Sequence, residues 1–265
     1  MSKILPPKAI LVLGAVMPQR LRQLAELGGA EMTLAHPDDG FLKHVSEVEA
    51  LATLGLTLSK SAISPTGGEV AFFKNSLDRE SGFVPASALT PIWKNLEQIS
   101  ETKIASTSLQ TFVDEAETPF NWLVIDRLDG LDLLQGAPDG LGLFDVVSMR
   151  SWSGEADAEL NTTKQVTEFM TTQGFRLVVQ ASERHPSLET LLFAKDYGQI
   201  ATDLQAYKDG QDSNVEKQRK LAVNNLNALE QRYADLFAKN KATEKLVADI
   251  LTRLARAESA LSADE

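Results

Sequence analysis

Three features of the sequence have residue types and spacings that can do chemistry: a glycine turn after an apolar run, a group of aspartates in one short stretch, and three histidines. The run Ala9–Leu13 meets Gly14 and Ala15, and a helix start is marked by Pro18. In α/β domains this is where a glycine loop lets the backbone approach a nucleotide cofactor. Here a single glycine is followed by Val16, Met17 and Pro18, and proline has no N–H to donate. Asp126, Asp129, Asp132 and Asp139 follow a strand-like segment. They can ligate a divalent cation through oxygen, or be solvated loop acids with one serving as a helix cap. His36, His44 and His185 lack the spacing of a zinc set, and His44 reads as an exposed helix residue. The chain has no cysteine, which excludes disulfides, thiolate metal sites and a cysteine nucleophile. No serine lies in a nucleophile-elbow pattern, and "TGGE" at 66–69 reads as a turn. Arg150 and Trp152 close a strand-like run, where they can face a sugar-like ligand or simply cap the strand with an exposed ring. Trp122 reads as core packing.

These residues need a scaffold, and the hydrophobic pattern supplies one. Strand-like segments begin at 9, 31, 56, 69, 102, 121 and 143, and "FRLVVQ" and "ETLLFAKD" form a closing antiparallel pair. Between them lie helical patterns. One covers 18–27, with Leu21, Leu24 and Leu27 on one face and proline at the first position. A second starts from an Asp38 or Asp39 cap and runs to Gly55, with Phe41, Val45, Val48 and Leu51 on one face. Others cover 108–116 and a stretch closed by Gly174. Residues 56–64 read as one strand, and 76–100 as a long loop with a short helix around Trp93. Strands alternating with helices of this length predict an α/β fold with a mostly parallel, doubly wound sheet and an antiparallel closing strand.

The last third differs. No glycine or proline follows Gly210. A 4-3 spacing runs through Ala222, Leu226, Leu229, Tyr233, Leu236, Asn240, Thr243, Val247, Ile250, Leu254, Ala257 and Leu261. This predicts a long helix forming a homo-oligomeric coiled coil, with Asn240 as a polar register position. The alternative is a bend at "KNKAT" that folds the helix back as a hairpin. Two domains are therefore expected, 1–198 and 199–265.

With a net charge of −11, non-specific nucleic-acid binding and docking on anionic lipid are disfavoured. The longest apolar stretch, "AILVLGAVM", is too short for a membrane span. Lys3 and Lys8 before it give it a signal-peptide look, but no cleavage pattern follows, and a buried strand is the expectation. A cysteine-free chain suits a cytoplasmic location.

In order along residues 9–195, "SAISPTGGEVAFF", "STSLQTFVDE", "NWLVIDRLDGLDLLQGA" and the closing "GF…LLFAKD" resemble segments of the FkbM-type S-adenosylmethionine-dependent methyltransferases. The resemblance implies a Rossmann-like domain with a cofactor loop of the pattern aspartate-x-glycine-alanine-asparagine-x-glycine and a carboxylate after strand two. Gly14 and Ala15 match the loop. Val12, Val16 and Pro18 stand at its acidic, asparagine and last glycine positions. His36 stands at the carboxylate position, and a neutral imidazole accepts one hydrogen bond at a time. Asp126 matches the family's hallmark stretch, whose lysine is Val124 here. Gly14, Ala15, His36 and Asp126 are thus the residues of a vestigial or altered cofactor site. The expectation is a non-catalytic, methyltransferase-like scaffold with no cofactor, assembled through its coil. Its setting, as the family implies, is beside enzymes of glycan (polysaccharide) or natural-product biosynthesis. The alternatives are an active O-methyltransferase on a sugar-like substrate, using S-adenosylmethionine, or a vacated cleft that holds another small ligand.

Overall fold

The computed structural model describes residues 5–27, 30–51, 54–154 and 160–198, together with 223, 224, 226, 227, 229 and 231. The chain divides into two units, Met1–Tyr197 and Gly198–Glu265.

In the first unit the order is β1 (Ala9–Gly14), α1 (Pro18–Ala25), β2 (Glu31–Ala35), α2 (Asp39–Glu47), β3 (Leu56–Ser59), β4 (Ile63–Ser64), β5 (Gly68–Asn75), α3 (Ala86–Leu89), β6 (Gln98–Ser108), α4 (Leu109–Asp114), β7 (Trp122–Asp126), α5 (Gly130–Gln135), α6 (Pro138–Leu141), β8 (Val146–Trp152), α7 (Thr163–Thr172), β9 (Phe175–Ser182) and β10 (Leu188–Lys195). Seven strands form one sheet in the order β3-β2-β1-β7-β8-β10-β9. The pairs from β3 to β8 are parallel, and β10 pairs antiparallel with both β8 and β9. The order reverses between β1 and β7, the switch point where open α/β sheets place ligands.

The central strand shows why the sequence is apolar without a break. Every residue of β1 is buried. Ile10 and Val12 join Leu21, Leu24, Leu42 and Val45 on one face, while Leu11 and Leu13 join Leu109, Val113, Leu131 and Leu134 on the other. Alternation along a strand sends successive side chains to opposite faces, so a sheet covered on both sides needs apolar residues at both parities. Trp122 is buried, and its indole N–H donates to the Leu5 carbonyl at 3.1 Å.

The departures from the sequence reading have local causes. The second helix takes its Asp38 cap, whose carboxylate accepts from the Gly40 and Phe41 amides, but it ends at Glu47 rather than near Gly55. Its C-cap, Val48, is extended, and a single 3-10 turn follows at Glu49–Leu51. α1 stops at Ala25, which leaves Leu27 outside it and partly exposed. The helix before Gly174 starts at Thr163, where a capping box of Thr162 and Gln165 fixes it. The single strand read at 56–64 is two. β3 closes the large sheet, and β4 belongs to a second sheet of order β4-β6-β5 that the hydrophobic pattern does not announce. This insertion is anchored by close packing: a Cβ on Gly136, after α5, would lie 2.0 Å from the Pro65 carbonyl oxygen. Trp152 is buried with Leu89, Ile92, Leu128, Leu160 and Leu188, so it is not an exposed strand cap.

In the second unit, 223, 224, 226, 227, 229 and 231 are helical, and Leu226 and Leu229 are exposed in the single chain. The other proposed seam positions, Tyr233, Leu236, Asn240, Val247, Ile250, Leu254 and Leu261, lie outside the described residues. Among the described residues no helix is long and apolar enough to cross a membrane.

Candidate functional site

Gly14 ends β1 with φ +101°, a conformation open to glycine at little cost. It pairs in register with Asp126 at the end of β7. A Cβ here would meet the Asp126 carbonyl oxygen at 2.7 Å and Arg127 Cγ at 2.8 Å. The glycine therefore admits a close approach, but the group that approaches is the protein's own β7 end. Ala15 and Val16 are buried beyond it. At the start of α1, the Arg20 and Leu21 amides both donate to the Met17 carbonyl, and Pro18 has no amide hydrogen.

His36 follows β2 and is 3% exposed. Its Nδ1 accepts from the Asp38 amide at 3.1 Å, which places the ring proton of the neutral form on Nε2. The ring packs against Phe41 and Phe72, at centroid distances of 4.4 and 6.0 Å. Burial pulls its pKa down to about 4; the Asp38 charge opposes this in part, and Arg127 and Lys74 reinforce it. The one lone pair able to accept is already used inside the protein.

Asp126 lies in a buried cluster of charges that joins the ends of β7 and β8 to the inserted segment. Arg150, on β8 and 3% exposed, donates to Glu80 at 2.9 Å and to Glu183 at 3.1 Å, with Asp126 3.3 Å from its Nε. Arg79 donates to Asp126 at 2.8 Å and sits 3.2 Å from Glu183. The Thr190 hydroxyl donates to Glu183 at 3.1 Å. Burial alone would lower the Arg150 pKa, but the charges of Glu80, Asp126 and Glu183 outweigh it and raise it further. Burial would likewise raise the Glu183 carboxyl, yet Arg150 and Arg79 hold it below the usual carboxylate range.

Arg127 fills the space between these two groups. Its guanidinium donates to Asp129 through two nitrogens and to the Ile63 carbonyl at 2.8 Å, and it stacks 4.4 Å over the Phe83 ring. The four aspartates considered as a cation set are thereby divided. Asp126 and Asp129 are held by arginines, while Asp132 and Asp139 are exposed on α5 and α6. Arg150, considered as a ligand contact, is spent on carboxylates.

Among the described residues the cavities beside these groups are very small. A cavity of about 10 Å³ lies among Gly14, His36, Phe72, Phe83 and Arg127, and one of about 20 Å³ lies among Arg79, Glu80, Phe83, Arg127 and Asp129. A nucleoside-sized ligand occupies a pocket of roughly 300–1,000 Å³, and a single water needs about 10–15 Å³. These residues, placed as they are, do not fit the S-adenosylmethionine that the resemblance implies. A roomier groove, about 1010 Å³, is lined by Ala9, Glu31, the β3 strand and the segment around Phe112–Phe120, and includes none of Gly14, His36 and Asp126.

Gly14 and His36 are thus neighbours, and Asp126 is paired beside Gly14 but turned into the charge cluster. Arg79, Glu80, Phe83 and Glu183 escape a reading of the sequence. They sit in turns and a strand end, where no periodicity marks them.

No protein family profile matches the chain, and no curated protein matches it. Among solved structures it is similar to the O-methyltransferase TomG from Streptomyces achromogenes, involved in tomaymycin synthesis, at 12% identity over 73% of this chain and 76% of that one, with a TM-score of 0.43. It is also similar to an O-methyltransferase from Bacillus cereus, at 12% identity over 73% and 77% with a TM-score of 0.43. A ribosomal protein L11 methylase from Lactobacillus delbrueckii gives 10% identity over 72% and 71%, with a TM-score of 0.40. These likenesses concern the fold at low identity and say nothing of activity.

Proposed function

We propose that this chain is a divergent FkbM-type, methyltransferase-like domain that does not transfer methyl groups. It acts as an interaction module, assembled into homo-oligomers through its C-terminal helix, beside enzymes of glycan or natural-product synthesis in the cytoplasm. One observation carries the non-catalytic part: the Arg127 side chain, stacked on Phe83 and tied to Asp129 and Ile63, occupies the crevice beside Gly14 and His36. The sheet keeps its order because its apolar strands fill two cores, which requires nothing of the crevice. The assembly part is supported by the unbroken 4-3 spacing, since an amphipathic stripe of that length needs a partner to cover it.

Titration calorimetry with S-adenosylmethionine tests the first part. No heat of binding is expected up to millimolar cofactor. Micromolar affinity, abolished by Gly14→Trp, would restore the enzyme reading. Light scattering tests the second part: a chain ending near Asp209 is expected to contain fewer subunits than the full chain. An unchanged subunit number would remove the helix from the assembly.

A further inference from the structure

We infer that β6 is a self-association edge, on which two copies of this chain pair antiparallel about a two-fold axis through Thr102. β6 is the middle strand of the inserted sheet, but its two sides are unequally used. β5 pairs with it from Gln98 to Ser106, whereas β4 covers the other side only at Thr107 and Ser108. From Gln98 to Ala105 that second side has no strand partner among the described residues. Every residue of this stretch except the half-buried Ile104 is exposed, and Ile99 is 64% exposed. The stretch contains no proline, its register against β5 shifts once, at Ile99 between Ser100 and Gln98, and its charges are one Glu and one Lys. It therefore lacks most of the devices that keep an edge from pairing.

The charges choose the partner. In a two-fold antiparallel pair centred on Thr102, Glu101 of each copy lies directly opposite Lys103 of the other. Thr102 faces Thr102, and Ser100 faces Ile104. Opposite charges and threonine pairs across strands are favourable. Moving the axis to Glu101 sets glutamate against glutamate, and moving it to Lys103 sets lysine against lysine. The dyad needs residues of one face opposite each other, so half-step registers are closed to it. The centred register uses the regular edge from 100 to 104, between the shift at Ile99 and the part that β4 covers. Among the described residues Glu101 has no ion-pair partner, and Lys103 reaches Glu69 at 3.3 Å in an exposed pair that can be shared. This pairing draws on neither the filled crevice nor the 4-3 spacing.

The absence of native cysteine makes the geometry readable by disulfide trapping in the full chain. Opposed antiparallel residues have Cα atoms about 4.5–5.5 Å apart, inside the range of roughly 4.4–6.8 Å that a disulfide spans. Identical residues one position off the axis are about 8 Å apart and cannot bridge. Under mild oxidation Thr102→Cys is expected to give a covalent dimer. Glu101→Cys and Lys103→Cys are expected to stay monomeric on a non-reducing gel when alone and to link when mixed. Adding Lys103→Glu to the Thr102→Cys chain should cut the yield at least fivefold, and adding Glu101→Lys as well should restore it. The inference fails if Thr102→Cys does not link, if the three positions link equally, as proximity along the C-terminal helix alone would produce, or if the charge reversals leave the yield unchanged.

Discussion

Arg150→Met is expected to destabilise the Met1–Tyr197 unit by about 3–5 kcal/mol, the range seen when one partner of a buried ion pair is removed, and to lower its Tm by about 10 °C. The side chain is 3% exposed and answers three carboxylates, those of Glu80, Asp126 and Glu183. Methionine matches much of the volume, so little of the loss comes from a cavity. Most of it comes from acids left facing one another out of water, with only Arg79 to divide between Asp126 and Glu183. Arg150→Lys should recover part of the loss, because a single ammonium cannot reach three partners arranged around a planar fork. Urea denaturation at neutral pH measures the effect. A loss under about 1 kcal/mol, the worth of an exposed pair, would mean that water screens the cluster.

The cluster need not raise the stability of the fold over an apolar equivalent, since well-packed hydrophobic replacements of buried ion pairs are often as stable. Its consequence is positional. Glu80 and Arg79 belong to the insertion, and their ion pairs hold residues 78–84 against the ends of β7 and β8. That placement brings Phe83 under the Arg127 guanidinium and closes the crevice. The closed crevice is then a product of this insertion.

This explains which parts of the molecule can be read from the sequence. β1 and β7 are legible because burial on both faces demands continuous apolar runs, and α1 because Pro18 and the Leu21 and Leu24 spacing mark its start and its face. The antiparallel closing pair is legible from two strand-like runs joined by a polar turn. The β5–β6 arm is harder. β6 is polar on both faces, so it lacks the alternation that reports a half-buried strand, and its membership in a second sheet depends on long-range pairing. At the site, departures from a cofactor pattern can be seen one residue at a time. The group that fills the crevice cannot, because Phe83 and Arg127 are distant in sequence and meet only in the fold.

His36→Asn is expected to flatten the dependence of stability on pH between 6.5 and 4. In the folded chain the imidazole is buried between Phe41 and Phe72, and burial lowers its pKa to about 4 from the ordinary 6.5. Unfolding returns it to water and to the ordinary value. Between the two values the unfolded state binds the proton and the folded state does not, so stability falls as pH falls through this window. The contribution is fully present above pH 6.5 and is lost by pH 4, a change of about 3 kcal/mol at 1.36 kcal/mol per pKa unit. Asparagine keeps an acceptor for the Asp38 amide but does not titrate, and all other groups titrate alike in both chains. The gap between wild-type and variant urea midpoints should therefore narrow or reverse on going from pH 7.5 to pH 4.5. Parallel curves would mean that His36 takes up its proton in the folded state as easily as in water. A ring so readily charged would not be enclosed by Phe41 and Phe72, and its burial beside Gly14 would have to be abandoned.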